Sequence, residues 1–289
     1  MGLSKEQIAR YSRQLMVPEI GVRGQERLLN ASVLVVGVGG LGCPSALYLS
    51  AAGVGTIGLL DRELVESSNL HRQVLYTQDD IGRPKSLCAQ QRLAGLNPGV
   101  KIHAIQESLT TDNARRLLKP YDVIIDGSDN FPTRYLANDA CILLGKPLIH
   151  AGVVHLRGQL MTILPRRSAC LRCVFPEPPV SGTIPSCQEA GVLGAAAGVL
   201  GTLTAHETLK VLLGLDELLT GRLLIFEGSK TQFREVRVRR DPACAVCGER
   251  PTIQELRSIA ALECGGLIAV NRTSSDDDGV RPRQYAGHS

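Results

Sequence analysis

Short apolar runs rich in Val, Ile and Leu recur through the first half of the chain, at 33–37, 56–61, 100–106, 122–126 and 147–151. Except for the alternating VKIHAIQ at 100–106 they are largely continuous, which is the pattern of strands buried on both faces. Between them, stretches at 41–52, 85–95, 111–118 and 132–144 place apolar residues at helical spacing. Strand and helix in alternation predict an α/β, Rossmann-like fold with a mostly parallel sheet covered by helices. Ahead of the first strand, Ser4-x-x-Gln7 is a capping-box pattern, and Ile8, Tyr11 and Leu15 follow at helical spacing. A short helix carrying Arg10 and Arg13 is expected there.

After residue 155 the pattern changes. Residues 157–164 and 222–239 read as antiparallel strands continuing the sheet, with Phe233, Val236 and Val238 among polar neighbours. FPEPPVSGTIP (175–185) is too rich in Pro and Gly for regular structure, and an apolar helix is predicted at 190–213. The segment 271–289 contains Asp276-Asp277-Asp278 and few apolar residues, so it reads as a disordered tail.

Composition narrows the function classes. The 289 residues are 44% hydrophobic, enough for a substantial core. Net charge is +4 and aromatics are 3%, with no basic run interleaved with aromatics, so nucleic acid is not an expected partner. The most membrane-like stretch, Ala190 to Ala205, is Gly-rich, short of a span and followed by Glu207 and Lys210, so no membrane partner is expected. The N-terminus lacks the apolar core of a signal peptide, and nine cysteines in such a chain point to metal or thiol chemistry in the cytoplasm.

The first strand breaks into Gly37-x-Gly39-Gly40-x-Gly42, a strand-to-helix turn able to hold a phosphate on helix amides. Asp61 ends the second strand, where a carboxylate reaches a ribose hydroxyl. Those features alone fit an NAD-dependent oxidoreductase. Arg72 and Lys85 shift the balance, because they bring enough positive charge for a triphosphate. Asp129, at the end of DVIID-Gly-Ser-Asp-Asn, is a candidate Mg²⁺ ligand with Asp126 as its rival. Cys170-x-x-Cys173 and Cys244-x-x-Cys247 supply four thiolates for a closed, structural zinc site. Cys43 and Cys141 read as core residues. Cys187 precedes the apolar helix, where a thiol is activated, and is a candidate for catalysis or thiol transfer.

Together these residues resemble the MoeB/ThiF family, bacterial relatives of ubiquitin-activating enzymes. The match runs through RYSRQ (10–14), GVGGLGCPSALYLSAAGVG (37–55), Asp61 with NLHRQ (69–73), the GRPK lysine, DGSDN, both CxxC pairs, CQEAG and TQFREVRV. It covers residues 5–248. His71 stands where many relatives have Gln. The resemblance implies ATP-dependent adenylylation of the C-terminal carboxylate of a ubiquitin-like sulfur-carrier protein ending in Gly-Gly. It assigns the ribose to Asp61, the triphosphate to Asn69, Arg72 and Lys85, and magnesium to Asp129. It also implies a homodimer in which Arg13 reaches the partner's phosphates. Cys187 matches a motif cysteine that links covalently to the carrier in some members only.

The expected organisation is one adenylation unit over 1–248, with a nucleotide half at 30–155 and a carrier and zinc half at 156–248. Residues 249–270 resemble a connector that in longer relatives leads to a sulfurtransferase domain, so the sulfur donor is expected to be a separate sulfurtransferase or cysteine desulfurase. A zinc-stabilised binding module without catalysis is a further alternative, which the full set of phosphate-contacting candidates opposes.

Overall fold

The computed structural model describes residues 2–179 and 190–257. One eight-stranded sheet runs through these residues: β1 (Ser32–Val36), β2 (Thr56–Leu60), β3 (Lys101–Ile105), β4 (Val123–Asp126), β5 (Leu148–Val154), β6 (Arg157–Ile163), β7 (Arg222–Glu227) and β8 (Gln232–Arg237). The spatial order is β3-β2-β1-β4-β5-β6-β7-β8. Pairing is parallel from β3 to β5 and antiparallel from β5 to β8. The strand order reverses between β1 and β4, so the chain leaves both strands in opposite directions and opens a crevice at their carboxyl ends. The predicted strand at 222–239 is a hairpin, with Phe226 and Phe233 as a cross-strand pair whose rings lie 5.0 Å apart.

Helices cover both faces: α1 (Lys5–Leu15), α2 (Gly21–Asn30), α3 (Gly42–Ala52), α4 (Lys85–Leu96), α5 (Ala114–Leu118), α6 (Phe131–Leu144), α7 (Leu171–Val174) and α8 (Gly194–Leu213). The capping box of α1 is formed, with Gln7 N–H donating to Ser4 Oγ at 3.2 Å and Ser4 N–H to Gln7 Oε1 at 2.9 Å. Its buried anchor is Tyr11, whose hydroxyl accepts from Asn97 Nδ2 at 2.9 Å. The pattern of apolar positions did not announce α2. Its buried residues are Gly24, Gln25 and Leu28, and Gln25 bonds the Ala52 carbonyl at 3.1 Å. A buried Gly and Gln erase the helical period.

Helix α8 lies against β5, β6 and α3. Val192 pairs with His155 before the helix, which therefore begins at Gly194 rather than at 190. Its buried hydroxyls bond within the helix, Thr204 to the Leu200 carbonyl and Thr208 to Thr204, each at 2.8 Å. Glu207 and Lys210, which interrupt the apolar run, form an ion pair at 2.6 Å. Among the described residues no helix is long and apolar enough to cross a membrane. Close approach of α8 to α3 depends on Gly201, where a Cβ would sit 2.5 Å from the Leu41 carbonyl oxygen and collide with the Pro44 ring. Gly201→Ala should therefore destabilise the fold by about 1–3 kcal/mol, read as a lower urea midpoint at unchanged slope.

Candidate nucleotide site and thiolate cluster

The crevice at the β1/β4 switch point is a cleft of about 540 Å³. Its floor is backbone. Gly37 has φ +85°, its N–H bonds the Leu60 carbonyl at 2.8 Å, and any Cβ on it would press on Gly127. A Cβ on Gly42 would collide with the Gly37 carbonyl oxygen. Only glycines allow these chain segments to meet. No side-chain cap covers the start of α3; Cys43 N–H bonds the Gly39 carbonyl at 2.9 Å and Pro44 has no N–H, so the amides offered to an anion in the cleft are those just ahead of Cys43.

Asp61 closes one side. Its Oδ2 accepts the Val38 N–H and its Oδ1 the Glu63 N–H, both at 2.8 Å. Burial raises its pKa above the ordinary value, against the opposing pull of those N–H groups and of Lys85. Each oxygen retains acceptor capacity for a hydroxyl. The crossover after β2 supplies Asn69 from a 3₁₀ turn, with its Oδ1 on the Glu66 N–H at 3.1 Å. Arg72 donates to the Ser68 carbonyl at 2.8 Å. Lys85 opens α4, is buried, and holds Glu63 at 2.5 Å. That acid is a partner the sequence pattern did not reveal. Gln73, also lining the cleft, is buried and its Oε1 has no hydrogen-bond partner, an acceptor left open in a polar pocket.

Beyond β4, Asp129 is exposed and lines the cleft. Its rival Asp126 is fully buried. Asp126 Oδ2 lies 2.7 Å from His150 Nδ1, and Oδ1 accepts the Ser128 N–H at 3.1 Å and hydroxyl at 2.5 Å. Arg134, buried on α6, donates to the Ser128 carbonyl at 2.9 Å and also lines the cleft. Sequence reasoning missed both Arg134 and His150. Their signal was a cation one turn into a helix capped by Asn130, and a His inside the otherwise apolar strand LIHAGVV.

The structure thus brings Gly37, Gly39, Gly40, Asp61, Asn69, Arg72, Lys85 and Asp129 around one cleft. Gly42 supports it from beneath. Arg13 does not line it and is exposed on α1. Cys187 lies outside the described residues, as does most of the Pro-rich segment. Cys43 and Cys141 are buried core residues.

Away from the cleft, the sulfur atoms of Cys170, Cys173, Cys244 and Cys247 all lie within 4.8 Å of one another, positioned to hold a metal ion. Contacts of 3.6 Å (Cys170–Cys244) and 3.9 Å (Cys170–Cys173) approach the roughly 3.8 Å edge of a tetrahedron with 2.3 Å metal–sulfur bonds. Arg172 of α7 grips the buried Asp139 of α6 through Nε and Nη2, at 2.8 and 2.9 Å. Its guanidinium stacks over Tyr135, whose hydroxyl donates to the Phe175 and Glu177 carbonyls.

A doubly wound sheet with a glycine-floored, cation-lined cleft at its switch point defines a nucleotide-binding α/β protein, here with a four-thiol knuckle added. The chain belongs to the ThiF family, which it matches over residues 11–246. It is 51% identical over 270 residues to the sulfur carrier protein adenylyltransferase of Thermus thermophilus, covering 92% of this chain and 99% of that one. It is 50% identical over 255 residues to the adenylyltransferase and sulfurtransferase MOCS3 of Anopheles gambiae, covering 88% of this chain and 58% of that protein's length. Among solved structures, E. coli MccB superposes with a TM-score of 0.74 at 24% identity, covering 86% of this chain and 74% of that chain. That likeness concerns the fold.

Burial alone would raise the Asp126 pKa, yet the hydrogen bond and charge of His150, with Arg134 and Ser128, hold it below the usual carboxylate range. A carboxyl depressed in the folded state adds stability above its unfolded pKa of about 4, and that stability is lost as pH falls through the folded value. Asp126→Asn should cost about 3 kcal/mol near neutrality and flatten the fall of stability below about pH 4, measured by urea unfolding across pH.

Proposed function

We propose that this chain is an ATP-dependent adenylyltransferase. It acts on the C-terminal Gly-Gly carboxylate of a ubiquitin-like sulfur-carrier protein of the MoaD/ThiS kind, releasing pyrophosphate and activating the carrier for sulfur transfer. The observation that carries this reading is the convergence of the phosphate-binding candidates on one cleft, in a chain that matches a sulfur carrier protein adenylyltransferase along nearly its whole length.

The amides of the glycine loop and α3 receive phosphate oxygens. Asp61 holds the ribose, while Asn69, Arg72 and Lys85 take the triphosphate, Lys85 exchanging Glu63 for a phosphate oxygen. A single exposed carboxylate at Asp129, completed by phosphate oxygens and water, is a donor set suited to Mg²⁺. When bound, that ion neutralises charge on the leaving pyrophosphate. The carrier carboxylate attacks the α-phosphorus. A new C–O–P bond forms, the bond to the bridging oxygen breaks, and that oxygen leaves with the pyrophosphate. The attacking group is already ionised, so no general base is required. Two anions must meet, and the cations Arg72 and Lys85 make the approach possible.

We assign Arg13 to the site of a second protomer. Supporting this, Ile8 on α1, Met16 and Val17 in the turn after it, and Val22 on α2 are exposed apolar residues. Cys187 would act after adenylylation, and the sulfur donor would be a sulfurtransferase or cysteine desulfurase. The adenylation unit would span 1–248, with the connector at 249–270 and the tail at 271–289 outside it. Free thiols throughout the described residues suit the cytoplasm.

ATP–pyrophosphate exchange that depends on a carrier with a Gly-Gly tail tests this reading. Lys85→Ala and Arg13→Ala should each abolish exchange, mixed protomers of the two should regain it, and Cys187→Ala should retain it. Absence of exchange by the unaltered chain with every such carrier would end the proposal.

The four-thiolate set fits zinc, whose closed tetrahedral shell leaves no position for substrate and makes the role structural. Metal analysis should give about one zinc per chain. Cys244→Ser should lose the ion and lower the melting temperature. A variant that kept both would remove zinc from the account.

A further inference from the structure

His150 sits on β5 with no exposed surface, and so does Asp126 on β4. Two polar groups in a sheet interior do not stabilise a fold by themselves, since apolar residues of similar volume serve as well or better. Their geometry points elsewhere. His150 Nδ1 lies 2.7 Å from Asp126 Oδ2 and donates to it, while Gln159 Nε2 lies 3.4 Å from Nε2 on the other side of the ring. The other oxygen of Asp126 takes the N–H and hydroxyl of Ser128. Arg134 holds the Ser128 carbonyl from the opposite side, through Nε at 3.3 Å and Nη2 at 2.9 Å. Ser128, the residue before Asp129, is thereby held at its N–H, its hydroxyl and its carbonyl, and Asp129 and Asn130 follow at the cleft.

We propose that His150 is a positioning residue for the reaction: through Asp126 it orients the Gly127–Asn130 turn so that Asp129 faces the nucleotide phosphates. The inference rests on the assignment of Asp129 to the magnesium side of the cleft. His150 stands one step behind the carboxylate that orders the turn, as outer partners of metal ligands commonly do. An apolar residue at 150 would leave the buried Asp126 Oδ2 without its hydrogen-bond donor on that side. An Asn at 150 places its side-chain N–H near the position of Nδ1, whereas a Gln places it near Nε2.

The test compares His150→Asn, His150→Gln and Ser128→Ala with the unaltered enzyme. Two quantities are read: the Mg²⁺ concentration for half-maximal pyrophosphate exchange, and hydrogen–deuterium exchange of the 127–130 amides without nucleotide. His150→Gln should raise the Mg²⁺ requirement about 10-fold or more and speed amide exchange at the turn. His150→Asn should stay within about twofold of the unaltered enzyme on both. Ser128→Ala removes the turn's own hydroxyl and spares the buried pair, and it should move both readouts in the same direction as His150→Gln. Equal behaviour of the Asn and Gln variants, or no effect of Ser128→Ala on either readout, would overturn the proposal. Asp129→Asn separates the two layers. If it leaves the Mg²⁺ requirement unchanged, the metal assignment fails, while amide exchange still decides whether His150 orders the turn.

Discussion

Backbone packed directly against backbone at Gly37, Gly42 and Gly127 is the constraint on which the rest of this structure depends. The carboxyl ends of β1 and β4 diverge there, and the two turns touch without side chains between them. A single methyl group on Gly42 would meet the Gly37 carbonyl and push the start of α3 away from the strand. The cleft would then lose its floor, and the helix amides would no longer converge with Asp61 and Asp129. Two of the acids around the cleft adjoin this junction, Asp61 through the Val38 N–H and Asp129 two residues after Gly127. Asp61 binds the Val38 N–H, and Tyr76 holds the Val38 carbonyl at 2.8 Å, so the loop is pinned from both sides.

Among the described residues, several buried charges face a counterpart. Lys85 is matched by Glu63, Arg172 by Asp139, and Asp126 by His150 with Arg134 near it. These pairs differ in their surroundings. Asp139 and Arg172 are enclosed on all sides and hold the thiolate knuckle to α6. Lys85 is enclosed but Glu63 is largely exposed, and an exposed acid is easily replaced by a stronger anion. The same kind of ion pair therefore locks one part of the molecule and leaves another open to exchange.

Much of this was legible in the amino-acid pattern, for identifiable reasons. Continuous Val and Ile runs marked the buried strands, and glycines at close spacing marked the junction. Two CxxC pairs marked the four-sulfur cluster because that spacing has few other uses. Helix α2 escaped because its buried face contains Gly24 and Gln25, which break the apolar period. The Lys85–Glu63 and His150–Asp126 pairs escaped because their members lie 22 and 24 residues apart and meet only when strands and crossovers are in place. Arg134 escaped as well, because its contact with the Ser128 carbonyl exists only once the 127–130 turn is formed.

Helix α6 connects regions that look separate. Within fourteen residues it begins at the Asn130 cap beside Asp129, sends Arg134 to the cleft, and uses Tyr135 to hold the segment leading toward Cys187. Asp139, one turn further on, grips the arginine between Cys170 and Cys173. A helix of this length is stiff, so its ends cannot shift independently. The thiolate cluster does not line the cleft, yet α6 joins the two mechanically. Any strain at the sulfur knuckle reaches the reacting groups along one rigid rod.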